Sequence, residues 1–402
     1  MPSKQSSVVA MLCGLAACVA LLLCSARAQA YPWMIRHHYT GCAACHADPS
    51  GAGPLTTYGR YTGNEFLPMH GGQAPGTGED SSSGQFLFGA VPLPNWLELG
   101  GDVRLMSLTS KPRGVPLTNR LIWMQLDAHA TISVSRFVAS GSLGYAPEGA
   151  LGAALTRGTQ DNLISRQHWL GYQLPFGPEL QLRAGRMNLP FGIRSIEHTL
   201  WARKLTRTNI NDEQQYGASL YFSTDTVRGE LMGIVGNLQL RPDLYRERGY
   251  SGYIEAEVVD GMALGVSSLV THRDLDTVTL KETWRQTHGV FGRWATPYRP
   301  LVLLTEWDYV FESSRDSFYE RGLVSYVQAD WEPVQGIHFL ATGEASKVGI
   351  RERYWSYGGW LSYAWFLAPH ADVRLDGIYQ SLGSAAGKQG ALTVLLQGHI
   401  YL

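Results

Sequence analysis

Leu301-Val302-Leu303-Leu304-Thr305-Glu306-Trp307-Asp308-Tyr309-Val310-Phe311-Glu312 alternates. Leu301, Leu303, Thr305, Trp307, Tyr309 and Phe311 share one face of an extended chain, and Glu306, Asp308 and Glu312 share the other. Successive side chains of a strand point to opposite faces, so period two marks a strand between two environments. Outward from this stretch the pattern recurs. Leu97, Leu99, Val103 and Leu105 alternate with Glu98, Asp102 and Arg104. Ile122, Met124, Leu126, Ala128, Ala130 and Ile132 alternate with Trp123, Gln125, Asp127, His129 and Thr131. Val373, Leu375 and Tyr379 alternate with Asp372, Arg374 and Asp376, and Leu392, Val394, Leu396 and Ile400 with Thr393, Gln397, His399 and Tyr401.

Connections alternate too. Short ones fall at 175–178, 224–226, 260–261, 297–300, 333–336 and 368–370. Longer ones fall near 109–118, 147–163, 189–213, 237–249, 273–285, 312–318 and 382–388. About sixteen strands fit between them. Even strand number, short turns on one side and long loops on the other describe an all-β, antiparallel outer-membrane barrel with both termini on the short-turn, periplasmic side. The competing reading is one or two soluble β-sandwiches. A soluble sheet shows water a charged face, whereas here the second face is mixed and Gly-rich. Trp96, Trp201, Trp284, Trp294, Trp307, Trp331, Trp355, Trp360 and Trp365 stand near strand ends, where aromatic girdles meet bilayer interfaces.

Composition agrees. Charged residues make up 17% of the 402, below the usual ~25%. Aromatics at 11% and 45 glycines fit neither a disordered chain nor a helical bundle. Residues 1–30 carry only Lys4 and Arg27, which leaves 31 basic against 34 acidic side chains in the remainder. That balance excludes a nucleic-acid binder driven by bulk positive charge.

The first thirty residues read as an export signal: Lys4, an apolar run from Val8 to Leu23, and the small-x-small site Ala28-Gln29-Ala30. The run is shorter than the roughly 20 residues of a spanning helix. A lipid attachment at Cys24 is disfavoured by Leu23 before it. Three domains follow from this reading: signal peptide 1–30, a small leader and linker 31–85 (its Gly/Ser-rich part at 71–85), and the barrel 86–402.

Beyond residue 30 only two cysteines remain, and both lie in Cys42-Ala43-Ala44-Cys45-His46. C-x-x-C-H is the attachment pattern of one covalent c-type haem. Two thiols two residues apart reach the two vinyl groups on one side of the porphyrin, and the next residue sets an imidazole under the iron. A structural zinc site would need further N/S ligands, and a dithiol redox pair has no use for the histidine. His46 is the expected iron ligand. Met34, His37, His38, Met69 and His70 are candidates for the sixth position, with His37 favoured for its closeness to the motif. An open sixth position would allow ligand chemistry. The leader is too small to build its own core, so it is expected to lean on the barrel, lodged in its bore.

Cys42, Cys45 and His46, then Leu55, Thr56, Gly59 and Arg60, then a porin-sized barrel resemble the fused outer-membrane monohaem cytochrome–porins, whose best-known members are iron-oxidising. The terminal Ile400-Tyr401-Leu402 resembles the last strand of outer-membrane proteins, with Leu in place of the usual Phe. Gly185-Arg186 and Leu189-Pro190-Phe191-Gly192 resemble a segment of phosphate-selective-type porins. The first resemblance implies electron transfer, of iron-oxidase type in those members, between an extracellular donor or acceptor such as Fe(II) and periplasmic cytochromes or other carriers. It fixes neither partner nor direction. The alternative is a solute diffusion porin with a haem-bearing plug; a soluble periplasmic haem enzyme is a third reading. Glu98, Asp102, Arg104, Asp127, His129, Arg183, Glu255, Glu257, Glu306, Asp308, Asp372, Arg374 and Asp376 are expected to face the lumen, pairing with one another, with none nominated as an iron site.

Overall fold

The computed structural model describes residues 32–39, 41–51, 53–72, 85–146, 162–175, 179–195, 197, 199–211, 213–236, 244–276, 280–298, 300–315, 318–348, 355–384 and 387–402. The expected signal peptide and most of the expected linker lie outside them.

Strands form one antiparallel sheet that closes on itself. The first, Leu97–Pro112, pairs on one side with Thr118–Val134 and on the other with the last, Gly387–Tyr401. Asn162–Ile164 and His168–Gln173 both pair with Phe137–Ala146, so the two segments share one strand position and the ring has sixteen. Pairing the first strand with the last joins the two ends of the sheet, and closure of this kind is the condition for a sheet in lipid. Among the described residues no helix is long and apolar enough to cross a membrane.

The wall is inside-out relative to a soluble protein. Leu361 is 72% exposed and Leu121 68%, whereas Glu306 and Asp308 on the inner face are fully buried. Trp284, Trp294, Trp307, Trp331, Tyr309 and Tyr379 are also exposed on the outer face. Large apolar side chains facing out from a closed ring of strands suit a bilayer. The chain is therefore an outer-membrane barrel, and the β-sandwich reading fails.

Three details depart from the pattern read above. Ile122 and Met124 pack against the interior cluster, while Trp123 and Leu126 both face out. A bulge between Arg104 and Leu105, where the partner passes from Gln125 to Trp123, inserts one residue and shifts the phase. Trp201 and Trp360 belong to no girdle: both are buried, and Trp360 donates to Glu344. A further tight turn at 135–136 escaped the turn reading, since it is not rich in Gly or Pro, as did the end of the strand Ile337–Val348.

The third long connection, residues 188–214, folds inward. Its short helix Trp201–Leu205 is held by Arg203 paired with Glu306 and by the Trp201 amide donating to Glu344 at 2.9 Å. Several of the other inner-face charges pair: Arg183 with Glu230, Arg228 and Arg293 with Glu255, Arg374 with Glu197 and Asp376. Asp308 does not pair among the described residues, and both its oxygens are buried without a hydrogen bond. Among the described residues no cluster of His, Cys, Asp and Glu has the makings of a metal site.

Candidate cofactor site in the barrel lumen

The leader lies within the bore at the short-turn end. It touches the wall around much of its circumference. Arg60 pairs with Glu98 and donates to the Leu99 carbonyl at 3.2 Å on the first strand. Asp48 accepts from Arg183 at 2.5 Å, both side chains fully buried, and Asn188 donates to Ser50 at 3.0 Å. Arg36 pairs with Glu332. The Met69 amide donates to Phe366 at 2.8 Å, and Gln335 donates to the Glu65 carbonyl at 2.8 Å. The wall supplies the core that the leader lacks.

Within the leader, Cys42 to His46 form a single helical turn: the amides of Cys45 and His46 donate to the Cys42 carbonyl at 3.2 and 3.0 Å. Cys42, Cys45 and His46 are thus presented together. A return strand braces the turn, with His46 bridged to Leu55 and the Ala47 amide donating to Pro54 at 3.1 Å. The Leu-Thr-x-x-Gly-Arg element then accounts for itself. Thr56 caps the helix Thr57–Phe66 by accepting from the Gly59 amide at 3.0 Å, and its hydroxyl donates to Ala44 at 2.7 Å. A Cβ at position 59 would sit 2.0 Å from the Cys45 carbonyl oxygen, so only glycine lets the helix cross the motif this closely. Arg60 fastens the helix to the barrel.

Cys42, Cys45 and His46 border a cavity that is partly enclosed by the barrel wall and partly open to solvent. Its walls mix apolar groups (Met34, Leu55, Leu67, Tyr401) with polar ones from the barrel (Asp102, Arg104, His129, Arg166, His399). A smaller space borders Cys42 as well and is lined by Arg194, Arg228, Tyr253 and Glu255. Burial, and then the neighbouring Cys42, pushes the Cys45 thiol up to about 12. Burial lowers the pKa of His46, against the opposing pull of the Gly53 backbone and of Asp48 and Asp102. The ring stays neutral, the form that binds a metal. Its Nδ1 is buried and has no hydrogen bond. Two adjacent cysteines and a neutral imidazole on the edge of a roomy cavity are a donor set that fits a covalent haem.

The sixth-ligand candidates scatter. Met34 lines the cavity and is almost wholly buried. His37 does not line it. Its ring lies against Phe66, with centroids 4.5 Å apart, and its Nε2 accepts from Arg36 at 3.2 Å. Burial first, then the charges of Arg36, His338 and His38, lower its pKa to about 4. His38 is exposed and bonds Asp260 at 3.0 Å, while Met69 and His70 are exposed outside the cavity. The histidines that do line it besides His46 come from the barrel: His129, His370 and His399. Alternation placed His129 and His399 on the non-lipid face, but nothing local tied them to the motif more than eighty residues away.

Comparison with known proteins bears on the barrel. No family model and no curated protein matches the sequence. Among solved structures the chain is similar to OmpT of Vibrio cholerae (10% identity, 78% of this chain and 100% of that one, TM-score 0.56). It is also similar to an anion-selective porin from Comamonas acidovorans (11%, 76% and 99%, TM-score 0.55). A third is the outer-membrane channel DcaP of Acinetobacter baumannii (10%, 76% and 97%, TM-score 0.54). At such identities the likeness concerns the fold: a porin-type barrel.

Proposed function

We propose that this chain carries one covalent haem c inside an outer-membrane barrel and passes electrons between an extracellular donor or acceptor and periplasmic carriers. Cys42 and Cys45 are the thioether positions and His46 the axial ligand. The observation that carries the reading is the position of the C-x-x-C-H turn: it faces a cavity within the bore instead of hanging free below the barrel. A bilayer core about 30 Å thick insulates its two sides. A one-electron carrier inside the bore can be approached from either mouth. When bound, the haem supplies the one-electron chemistry. The chain's part is to hold it, through the turn at 42–46, and to exclude a free water path, through the leader and the inward connection 188–214. Burial of Cys45 also suits the thioether, which has no charge to desolvate.

The second reading is the diffusion porin with a haem-bearing plug, and the porins and channels among the similar structures favour it. The two separate in liposomes. With an acceptor enclosed and a donor outside, the conduit reading expects reduction of the acceptor and little passage of small solutes. Free solute passage without reduction would establish the porin. Haem staining of the outer-membrane fraction tests the cofactor itself: Cys45→Ala should lose the normal two-thioether spectrum, and an unchanged stain and spectrum would refute the motif reading.

A further inference from the structure

Four side chains on four neighbouring strands form a chain of hydrogen bonds along the inner wall. Asp372 meets His399 Nδ1 at 2.7 Å, His399 Nε2 meets Asp102 at 2.9 Å, and the other oxygen of Asp102 meets His129 Nε2 at 3.0 Å. Asp102, His129 and His399 line the same cavity as Cys42, Cys45 and His46. The chain of bonds ends at His129. Its side chain is only 4% exposed, and its second ring nitrogen, Nδ1, is buried without a hydrogen bond. An imidazole nitrogen buried without a partner is costly, and a ligand there would relieve that cost. Metal-bound histidines have this arrangement: one nitrogen on the metal, the other held by a carboxylate that fixes the ring and raises its basicity.

We infer that His129, through the ring nitrogen that Asp102 does not hold, is the second axial ligand of the haem carried by Cys42, Cys45 and His46. The inference rests on the cofactor reading above. Leader and barrel each supply one axial histidine, so the iron ties the plug to the wall. Asp102 is a positioning residue, and His399 with Asp372 hold Asp102 in turn.

The test uses the whole protein purified from outer membranes, with heat-dependent gel migration as the check that each variant forms its barrel. The wild type should show a low-spin, six-coordinate spectrum with two nitrogen ligands. His129→Ala should turn it high-spin, and added imidazole should restore the low-spin form, with the covalent stain intact. Met34→Leu should leave the spectrum as it was. Asp102→Asn should keep low-spin ligation but raise the midpoint potential, because a less basic imidazole stabilises Fe(III) less. A five-coordinate wild type, a low-spin His129→Ala, or a Met34→Leu that turns high-spin would each overturn the assignment while leaving the haem in place. Absence of the stain from the wild type would instead defeat the cofactor reading itself.

Discussion

Replacing Arg183 with leucine should release the leader from the bore. Arg183 stands between Asp48 of the leader and Glu230 of the wall, and all three side chains are at most 1% exposed. Leucine removes the cation and leaves two carboxylates facing each other out of contact with water. Removing one partner of a buried ion pair costs about 3–5 kcal/mol. With the leader withdrawn the Asp48 and Glu230 carboxylates regain water, so the cost falls on the docked state. At ~1.4 kcal/mol per tenfold, the docked-to-undocked ratio should fall by roughly a hundred- to several-thousand-fold. Asp48→Asn should cost less, because Arg183 keeps Glu230 and the amide still accepts. The assay has two readings on protein in liposomes: tryptic cleavage after Arg36 and Arg60, and swelling in small sugars. Both should rise in the order wild type, Asp48→Asn, Arg183→Leu, with heat-dependent migration of the barrel unchanged. If Arg183→Leu stays as resistant and as impermeable as the parent, the pair is no anchor and the account of the plug is wrong.

Gly59→Ala should disturb the motif from outside it, since the new methyl meets the Cys45 carbonyl. Overpacking of this kind costs about 1–3 kcal/mol, and a drop in haem stain per folded barrel would register it. Leu361→Arg, near the middle of Ser356–Ala368 on the lipid face, should destabilise the barrel by roughly 2–4 kcal/mol in a denaturant titration in lipid. His37 gives docking a pH dependence. Its pKa falls from 6.5 to about 4 in the docked state, so the undocked chain takes up the proton first as pH drops. Docking should hold above pH 6.5 and weaken between 6.5 and 4, seen as faster hydrogen exchange over residues 32–39. His37→Phe, which keeps the ring against Phe66, should flatten that response.

Strand alternation made the barrel legible because lipid and lumen demand opposite residue types at every second position. It misled where a bulge changed the phase, at Ile122 and Met124, and where tryptophan served the interior, at Trp201 and Trp360. That Cys42, Cys45 and His46 come together in one turn follows from their spacing, because the contacts are local. The inward fold of 188–214 was not legible, since its anchors, Glu306 and Glu344, lie over a hundred residues away. The same holds for the lining histidines. Proximity in sequence favoured His37, whose Nε2 the structure gives to Arg36, while His129 reaches the cavity only once the sheet has closed.

The wall has a seam, where Leu97–Pro112 meets Gly387–Tyr401, and it can be sewn only when the final strand arrives. Arg60 clasps Glu98 and Leu99 on the first strand, just before the stretch that meets the last. The leader precedes every strand, so a haem on Cys42 and Cys45, as proposed, would have to be fitted before the cylinder shuts or enter through a mouth already narrowed by its own tether. The closing of the wall would then set the order of assembly.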